Sequence, residues 1–337
     1  MDKKVLVIYT GGTIGMVPTD DGYAPEPGYF EELLNEIPQL RYDDMPYWKL
    51  LEFDPLLDSS DMSVEHWNKI GRAIAERYDE FDGFVVLHGT DTMAYSASAL
   101  SFMLEGLNKP VVFTGSQIPM CRLGSDGLSN LTNAILIAAE GAASEVSVFF
   151  NGELYRGNRS TKVSADTLDA FKSPNYRPLA TVGVDIHYHK KALSIPAQSE
   201  EFRLCEFGPV PIAVLKLFPG INFDRFRSLV SGSMKAVILE AFGSGNIPSS
   251  GGAFDEFLRC AQESGTVIAV CSQCSQGTAR LGAYAASSSL KNSGALSCLD
   301  MTTEAAVAKF YYLFSKNLDR QALVRAMETN LRGEVSI

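Results

Sequence analysis

The sequence has few cysteines, no apolar run long enough to cross a membrane and no excess of basic residues. Its six cysteines are spread over 337 residues, which is too sparse for the disulfide frameworks of small secreted domains. No stretch approaches the roughly 20 apolar residues that a spanning helix needs. The N-terminus also lacks the apolar segment and cleavage site of a signal peptide. We therefore expect a protein of the cytoplasm with no membrane partner.

Acidic residues outnumber basic ones. The chain has 40 Asp and Glu against 29 Lys and Arg, for a formal net charge of −11. A negative surface repels the phosphate backbone of DNA and RNA. We therefore expect no nucleic-acid partner. The mean hydropathy of +0.01 and the 46% of apolar residues are typical of an ordinary globular protein.

The cysteines and histidines are not spaced as a metal site. Cys271 and Cys274 form a C-x-x-C pair, but no second pair stands at the spacing of zinc ligands. His187 and His189 share one face of a predicted strand and supply two ligands at most. We expect no metal. Cys271 is expected to be buried beside the strand 266–270, and an oxidisable thiol at Cys274 remains open.

Two stretches share one design, in which an apolar strand runs into a loop containing glycine and threonine. The first extends from Val5 to Gly15 and the second from Phe84 to Thr92. Uninterrupted apolar runs of this kind are typical of strands in a parallel sheet that is covered on both faces. Ligands bind beyond the carboxyl ends of such strands. Both loops are therefore expected to deliver threonines to the same edge of the sheet.

The order of strands and helices predicts an α/β fold with two domains. Residues 1–190 are expected to form a larger catalytic domain with a doubly wound, mostly parallel sheet. The alternation breaks in a polar, proline-containing stretch at 191–211, which we interpret as a linker. Residues 212–337 then restart the alternation and predict a smaller C-terminal α/β domain.

Two polar segments lie between these strands. Residues 16–30 are rich in Gly, Pro and Asp, so we predict a mobile surface loop without regular structure. Because this loop follows Thr13 directly, it is interpreted as a lid, on which Tyr23 is either an aromatic that swings over the site or an exposed loop residue. The cluster Ser59-Ser60-Asp61 is either turn and capping chemistry or a pocket for a small zwitterion.

The first loop is rich in glycine but does not match a nucleotide-binding loop. The run from Gly11 to Gly15 fits neither G-x-G-x-x-G nor G-x-x-x-x-G-K-[ST], and the chain has no G-x-S-x-G elbow. Threonine hydroxyls remain as nucleophiles, which need a base and hydrogen-bond donors for the oxyanion. Thr13 and Thr90 both lie on glycine-flanked turns whose exposed N–H groups can supply those donors.

Charged residues near the second loop complete the chemistry that the residues alone support. Asp91 follows Thr90 and can hold an ammonium group or orient a lysine. Lys162, in a predicted loop at 151–162, is a candidate base because burial lowers the pKa of a lysine. A helix is predicted from Asp91 or Thr92 to about Leu107. These residues indicate an acyl-transfer or hydrolytic enzyme.

The motifs resemble the two signature motifs of bacterial L-asparaginases. TGGTIG extends from Thr10 to Gly15 and HGTDTM from His88 to Met93, with the cluster Ser59-Ser60-Asp61 between them. Lys162 follows in RSTK, and Gly245-Asn246 lies in the predicted second domain. The resemblance covers essentially the whole chain. Without a signal peptide the chain is similar to the cytoplasmic, type I members.

The resemblance implies hydrolysis of L-asparagine to L-aspartate and ammonia through a threonine nucleophile and an acyl-enzyme intermediate. Thr13 would be the nucleophile, with Tyr23 on the lid helping to activate it. Thr90, Asp91 and Lys162 would form a second triad that activates the hydroxyl or the water. The family uses no cofactor, so none is expected here.

The resemblance also implies how the substrate is held. Ser59 and Ser60 would bind the α-carboxylate of asparagine, and Asp91 its α-ammonium group. Asn246 would reach the active site of a neighbouring subunit, because family sites lie at an intimate dimer interface and two dimers commonly form a tetramer. A homodimer or a homotetramer is therefore expected.

Some positions depart from the family pattern or extend it. Ser60 stands where secreted relatives usually have glutamine, and no equivalent is evident for their acidic residue from the partner subunit. Some cytoplasmic members are activated allosterically by asparagine, to which Thr161 and Cys274 would contribute here. The alternatives are a related glutaminase or amidase and a non-catalytic amino-acid-binding protein of the same fold. The acidic charge and the lack of an extra domain argue against an amidase of aminoacyl-tRNA.

Overall fold

The computed structural model describes most of the chain, namely residues 3–20, 22–193, 201–248, 252–282 and 288–336. The chain divides into two compact units, Met1–Glu206 and Phe207–Ile337. Within the described residues no helix combines the length and apolar character that a membrane span requires. The predicted linker at 191–211 includes residues 194–200, which lie outside the described residues, so its boundaries stay a prediction.

The first unit contains strands of very different length. Its described strands, in chain order, are β1 Lys4–Tyr9, β2 Met16–Thr19, β3 Gly22–Pro25, β4 Tyr47–Glu52, β5 Gly83–Leu87, β6 Leu104–Glu105, β7 Val111–Thr114, β8 Val146–Phe150, β9 Glu153–Arg156, β10 Thr161–Lys162, β11 Phe171–Lys172, β12 Ala180–Val182, β13 Ile186–Tyr188 and β14 Arg203–Leu204. Its described α-helices are α1 Tyr29–Glu36, α2 Val64–Ala75, α3 Met93–Met103 and α4 Gly127–Glu140. Short 3₁₀ turns cover Thr13–Gly15, Pro38–Arg41, Ser59–Asp61 and Gly157–Arg159.

Eight of these strands form one sheet in the order β13-β12-β9-β8-β7-β5-β1-β4. From β4 through β1, β5 and β7 to β8 the neighbours run parallel, and β9, β12 and β13 continue the sheet in antiparallel pairs. Every residue of β5 and of β8 is buried, because the central strands are covered on both faces. The prediction of a mostly parallel sheet is confirmed.

The second unit is a smaller α/β unit. Its parallel sheet has the order β15-β16-β17-β18, and its core includes Val237, Leu239, Phe257 and Val270. The described strands are β15 Ile212–Lys216, β16 Ala236–Ala241, β17 Val267–Ser272 and β18 Leu296–Ser297, and the helices are α5 Arg227–Val230, α6 Ala253–Ser264, α7 Ser288–Asn292, α8 Thr303–Ser315 and α9 Arg320–Glu328, with a 3₁₀ turn at Phe223–Phe226. This unit confirms the predicted smaller α/β domain.

The segment at 16–30 differs from its prediction. Instead of a loop without regular structure, β2 and β3 form an antiparallel hairpin in which Pro18 pairs with Tyr23, and α1 begins at Tyr29. The hairpin has only two strands, so each strand has a free edge where a proline leaves no ladder bond broken. Turn-forming residues are thus compatible with a short isolated hairpin, which their composition alone did not indicate.

Two further boundaries differ for a reason outside the local sequence. Helix α3 ends at Met103 rather than near Leu107, because β6 leaves it to pair with β14. The buried carboxylate of Glu105 accepts a hydrogen bond from Arg203 Nε at 2.6 Å. Likewise, the predicted loop at 151–162 contains β9 and β10. Each of these strands pairs with a partner that the local sequence does not reveal.

A buried ion pair ties the end of the second unit to helix α8. Lys309 Nζ lies 2.6 Å from Glu334 Oε1, and both side chains are fully buried. Lys309 also donates to the carbonyl oxygens of Met327 and Thr329, and Glu334 accepts from the N–H of Leu331. Every charge of the pair is therefore met by hydrogen bonds, as a buried pair requires.

Replacing Lys309 with methionine is expected to lower the free energy of unfolding by about 3–5 kcal/mol, because the buried Glu334 carboxylate then has no cation. Urea unfolding of the second unit measures the change. The control is Lys235→Met, which makes the same replacement at an exposed position and should change stability by no more than about 0.5 kcal/mol. Equal losses in the two variants would contradict the assignment.

Candidate active site

The loops after β1 and β5 touch through their backbones. Gly12 has a φ of 95°, and a Cβ there would lie 2.5 Å from the amide nitrogen of Gly89. Gly11 has a φ of 127°, and a Cβ there would lie 2.2 Å from the carbonyl oxygen of Leu57. Both the positive φ and the close approach require glycine. These contacts bring the ends of β1 and β5 against the segment that follows Leu57.

Hydrogen bonds hold this arrangement in place. Thr10 donates from its N–H at 3.0 Å and from Oγ1 at 2.9 Å to the carbonyl oxygen of Leu87. Leu57 donates its N–H to the carbonyl oxygen of Thr10 at 2.7 Å. Thr92 Oγ1 donates to the carbonyl oxygen of Ser59 at 2.7 Å. The two strand-end loops and the segment beside them are thus one hydrogen-bonded assembly.

The serine cluster forms a 3₁₀ turn at Ser59–Asp61. Its cap is Asp58, whose Oδ1 accepts from the N–H of Ser60 at 2.8 Å and from Ser60 Oγ at 2.9 Å. Ser59 is buried, and its Oγ lies 2.4 Å from where a Cβ on Gly89 would stand. Ser59 therefore packs directly on the second loop. Since Asp58 does the capping, the Ser59 hydroxyl is not needed for that role.

Lys162, on β10, reaches the second loop. Its Nζ donates to Thr90 Oγ1 at 2.8 Å and to Asp91 Oδ1 at 2.7 Å. The Lys162 side chain is 19% exposed, whereas that of Asp91 is 66% exposed. The ammonium group is thus shared between a buried hydroxyl and a solvent-facing carboxylate. A threonine hydroxyl that accepts from a cation is polarised for proton transfer.

Gln117 also contacts this group, although the sequence did not single it out as a site residue. Thr90 Oγ1 donates to Gln117 Oε1 at 3.3 Å, and Gln117 Nε2 donates to the carbonyl oxygen of Thr167 at 3.2 Å. The N–H of Gln117 is held by Asp126 Oδ1 at 3.1 Å. The available signal was its position after β7, a third parallel strand that ends at the same sheet edge.

Thr13 opens the 3₁₀ turn after β1 and is half-buried. Within the described residues its hydroxyl forms no hydrogen bond. Tyr23 lies on β3, which packs against this turn. The Tyr23 ring is 44% exposed and has the Arg122 guanidinium 6.0 Å from its centroid. Thr13 and Tyr23 are therefore on neighbouring elements, and no hydrogen bond joins them in the described structure.

Other predicted residues lie in the second unit or beside the lysine. Asn246 closes a tight turn by donating its N–H to the carbonyl oxygen of Phe242 at 2.8 Å, and its Oδ1 is buried with no hydrogen-bond partner among the described residues. Cys271 is buried, as predicted, and Cys274 is exposed. Thr161 precedes Lys162 on β10. Among the residues that the structure covers, no cluster of three His, Cys, Asp or Glu could hold a metal ion.

His88 is buried directly behind the second loop. Its side chain lies at the end of β5 and is almost fully removed from solvent. Burial lowers the pKa of His88 from 6.5 to about 4, and the hydrogen bond with the carbonyl group of Gly89 only partly opposes this shift. The imidazole is therefore neutral at physiological pH.

Comparisons with known proteins agree over both units. Residues 4–194 match the family described as asparaginase, N-terminal, and residues 211–327 match the glutaminase/asparaginase C-terminal domain. L-asparaginase 1 of Escherichia coli K12 is 45% identical over 336 residues, which cover 99% of this chain and 98% of that protein. The crystal structure of L-asparaginase I from Vibrio cholerae has a TM-score of 0.92 at 43% identity and covers 100% of both chains.

A more distant relative has a different name. It belongs to the glutamyl-tRNA(Gln) amidotransferase of Thermococcus kodakarensis, and it is 32% identical over 344 residues, which cover 99% of this chain and 76% of that protein. About a quarter of the relative thus has no counterpart here. The likeness shows that the same framework occurs in proteins with different names.

Gly12→Ala is expected to destabilise the protein more than Gly22→Ala. Gly22 also has a positive φ, of 116°, but a Cβ there would meet nothing within 4 Å. Gly22→Ala should therefore cost only the left-handed backbone, about 1 kcal/mol. Gly12→Ala should cost about 1–3 kcal/mol more, because its Cβ overlaps Gly89. Urea unfolding compares the two, and equal losses would show that the loops separate readily.

The neutral state of His88 predicts how stability depends on pH. Because its folded pKa is lowered, the unfolded state binds the proton first as the pH falls from 6.5 towards 4. Over that window the protein should lose about 3 kcal/mol of folding free energy through His88 alone. Urea unfolding between these pH values should show a smaller loss for His88→Asn than for the wild type. His187→Asn, at an exposed histidine, should leave the wild-type pH dependence unchanged.

Proposed function

The chain belongs to the asparaginase family, and from this premise we propose that it hydrolyses the side-chain amide of L-asparagine to give L-aspartate and ammonia. The observation that supports the proposal most directly is the group formed by Thr90, Asp91 and Lys162 beside the turn that begins with Thr13. It provides a hydroxyl nucleophile, a polarised second hydroxyl and a cation at one sheet edge. Amide hydrolysis through an acyl-enzyme needs such a set.

Thr13 Oγ1 attacks the side-chain carbonyl carbon of asparagine and gives up its proton, with Tyr23 assisting. The C–N bond breaks, and the nitrogen leaves as ammonia with that proton. Water then adds to the aspartyl ester, the bond between carbon and Thr13 Oγ1 breaks, and aspartate leaves. The group of Thr90, Asp91 and Lys162 activates the hydroxyl or the water. Backbone N–H groups of the two loops stabilise the oxyanion.

The substrate is held by charge and by hydroxyl groups. Asp91 pairs with Lys162 through Oδ1, so its second carboxylate oxygen is available to the α-ammonium group of asparagine. Ser59 and Ser60 bind the α-carboxylate at the N-terminus of their 3₁₀ turn. A serine at position 60 makes a shorter contact than the glutamine of secreted relatives, so more of the α-carboxylate shell is left to water.

The active form proposed is a homodimer or a dimer of dimers in the cytoplasm. In this assembly Asn246 reaches the active site of a neighbouring subunit. The buried Oδ1 of Asn246, which has no partner among the described residues of one chain, supports a role for the side chain outside its own turn. Sedimentation velocity gives the oligomeric state, and a monomer with full activity would exclude a shared site.

Asparagine is also proposed to bind at an allosteric second site to which Thr161 and Cys274 contribute. Thr161 is next to Lys162 on β10, so a ligand there could shift the lysine. A sigmoidal dependence of rate on asparagine concentration, made hyperbolic by Thr161→Ala, is the expected signature. A hyperbolic curve for the wild type would leave a simple asparaginase.

Ammonia release from asparagine, measured with glutamine in parallel, tests the activity. Thr13→Ala should lower kcat by at least about 10³-fold, because it removes the nucleophile. Thr13→Ser keeps a hydroxyl and should retain part of the rate. Thr19→Ala, a threonine of the hairpin whose hydroxyl bonds only to Gly22, is the matched control and should behave as wild type.

The outcomes separate the alternatives. Mass spectrometry of an acid-quenched reaction should find an aspartyl group on the peptide that contains Thr13. Faster release from glutamine than from asparagine would indicate the glutaminase. Binding of asparagine without ammonia from either substrate would indicate the non-catalytic binding protein.

A further inference from the structure

A chain of hydrogen bonds, all of it buried, ends on the second loop. Trp67 Nε1, on α2, is 3.0 Å from Ser96 Oγ, on α3. Ser96 Oγ is 2.9 Å from His88 Nε2. His88 Nδ1 is 2.7 Å from the carbonyl oxygen of Gly89. We call these four residues the Trp67–Gly89 chain. None of its side chains touches the group of Thr90, Asp91 and Lys162 through a hydrogen bond described above.

The direction of every bond in the Trp67–Gly89 chain is fixed by its two ends. An indole N–H can only donate, and a carbonyl oxygen can only accept. His88 Nδ1 must therefore carry a proton, and the Ser96 hydroxyl must accept from Trp67. It then donates to the unprotonated Nε2 of His88. The low pKa of His88 agrees with this neutral form, so the imidazole is held as the Nδ1–H tautomer.

The last bond fixes a peptide of the active-site loop. The Gly89 carbonyl and the Thr90 N–H belong to the same peptide unit, which is trans because Asp54-Pro55 is the cis bond recorded among the described residues. In a trans peptide these two groups point in opposite directions. Since the carbonyl points inward to His88, the Thr90 N–H points away from the interior. Within the described residues it donates to no acceptor.

We propose that His88, Ser96 and Trp67 are positioning residues for catalysis, which hold the Gly89–Thr90 peptide and polarise its N–H for the developing oxyanion. This inference rests on the proposed amide hydrolysis. A hydrogen bond accepted by a peptide carbonyl strengthens donation from the N–H of the same unit. The peptide is thus oriented before substrate binds, and its donor strength matters only when negative charge develops on the reacting oxygen.

A role for His88 as an acid or base does not fit the same contacts. Both ring nitrogens are already engaged, and the side chain is 1% exposed, so neither nitrogen can reach a substrate. A merely structural role would change stability and would change kcat and KM without a pattern. The positioning role instead predicts an effect on kcat at constant KM, since asparagine in the ground state does not need a strong donor at its carbonyl oxygen.

The decisive comparison is His88→Leu with His88→Asn. An asparagine amide N–H can take the place of Nδ1–H, whereas leucine fills the cavity without a donor. His88→Leu should lower kcat about 10–100-fold, less than the ~10²–10³-fold that removal of an oxyanion donor costs, with KM changed less than about 3-fold. His88→Asn should recover most of the loss. Equal kcat in the two variants, or a change confined to KM, would overturn the proposal.

A milder pair keeps the test valid if His88→Leu does not fold. Ser96→Ala cuts the chain on α3, and Ser101→Ala is its control, because Ser101 is buried on the same helix and donates only to the carbonyl oxygen of Ala97. Ser96→Ala should lower kcat about 3-fold, within the cost of one lost hydrogen bond, at unchanged KM. Ser101→Ala should leave kcat unchanged. Equal kcat values for these two serine variants would contradict the proposal.

Nitrogen NMR of the wild-type histidines separates this proposal from the proposed function. The chain has four histidines, and His88 should show the Nδ1–H tautomer at neutral pH without titrating down to about pH 5. The Nε2–H tautomer would overturn the positioning role. If the wild type releases no ammonia, the proposed function fails, while the tautomer measurement still reports the hydrogen-bond chain by itself.

Discussion

The active-site edge depends on one contact, in which the backbone of Gly12 lies against the backbone of Gly89 with no side chain between them. Parallel strands β1 and β5 are neighbours in the sheet, so their ends are close in any case. The contact makes their loops a single surface. Thr13 follows one loop by a residue and Thr90 the other, so the nucleophile and the polarised hydroxyl are set by backbone rather than by flexible side chains. Glycine has a high entropic cost on folding, which the hydrogen bonds of Thr10 and Leu57 offset.

Buried charge supports the same edge from behind. Lys162 reaches Thr90 from a segment that begins at β9, and Arg156 on that strand is paired with Glu145 at 2.5 Å with both side chains buried. Arg156 also donates to the carbonyl oxygen of Ala192 at 2.9 Å. The long lysine side chain is flexible, so its precision comes from this rigid approach. Catalytic groups that must be held to fractions of an ångström commonly rely on such supports.

The sequence predicts the parts of this structure that depend on local pattern. The apolar runs at Val5 and Phe84 predict β1 and β5, and the glycine-threonine loops after them predict the edge at which Lys162, Thr90 and Asp91 meet. The contact of Gly12 with Gly89 joins residues far apart in sequence, and neither loop alone specifies it. Gln117 was missed for the same reason, since its partner Thr90 lies on a different strand.

The boundaries that the sequence misses are set by distant partners. β6 ends helix α3 because β14, about a hundred residues later, pairs with it. The hairpin of β2 and β3 forms from residues that favour turns, because an isolated pair of strands tolerates proline at its free edges. In both cases tertiary pairing overrides the local propensity on which the prediction rested.

Trp67, the first donor of the hydrogen-bond chain, is one of two tryptophans in the sequence. The other, Trp48, lies half-buried on β4 and donates to the carbonyl oxygen of Leu40. The indole emission of Trp67 responds to its acceptor and to the polarity around it. A protein in which Trp48 is replaced by phenylalanine is therefore a single-fluorophore reporter, whose light output follows the state of the Gly89 loop without any attached dye.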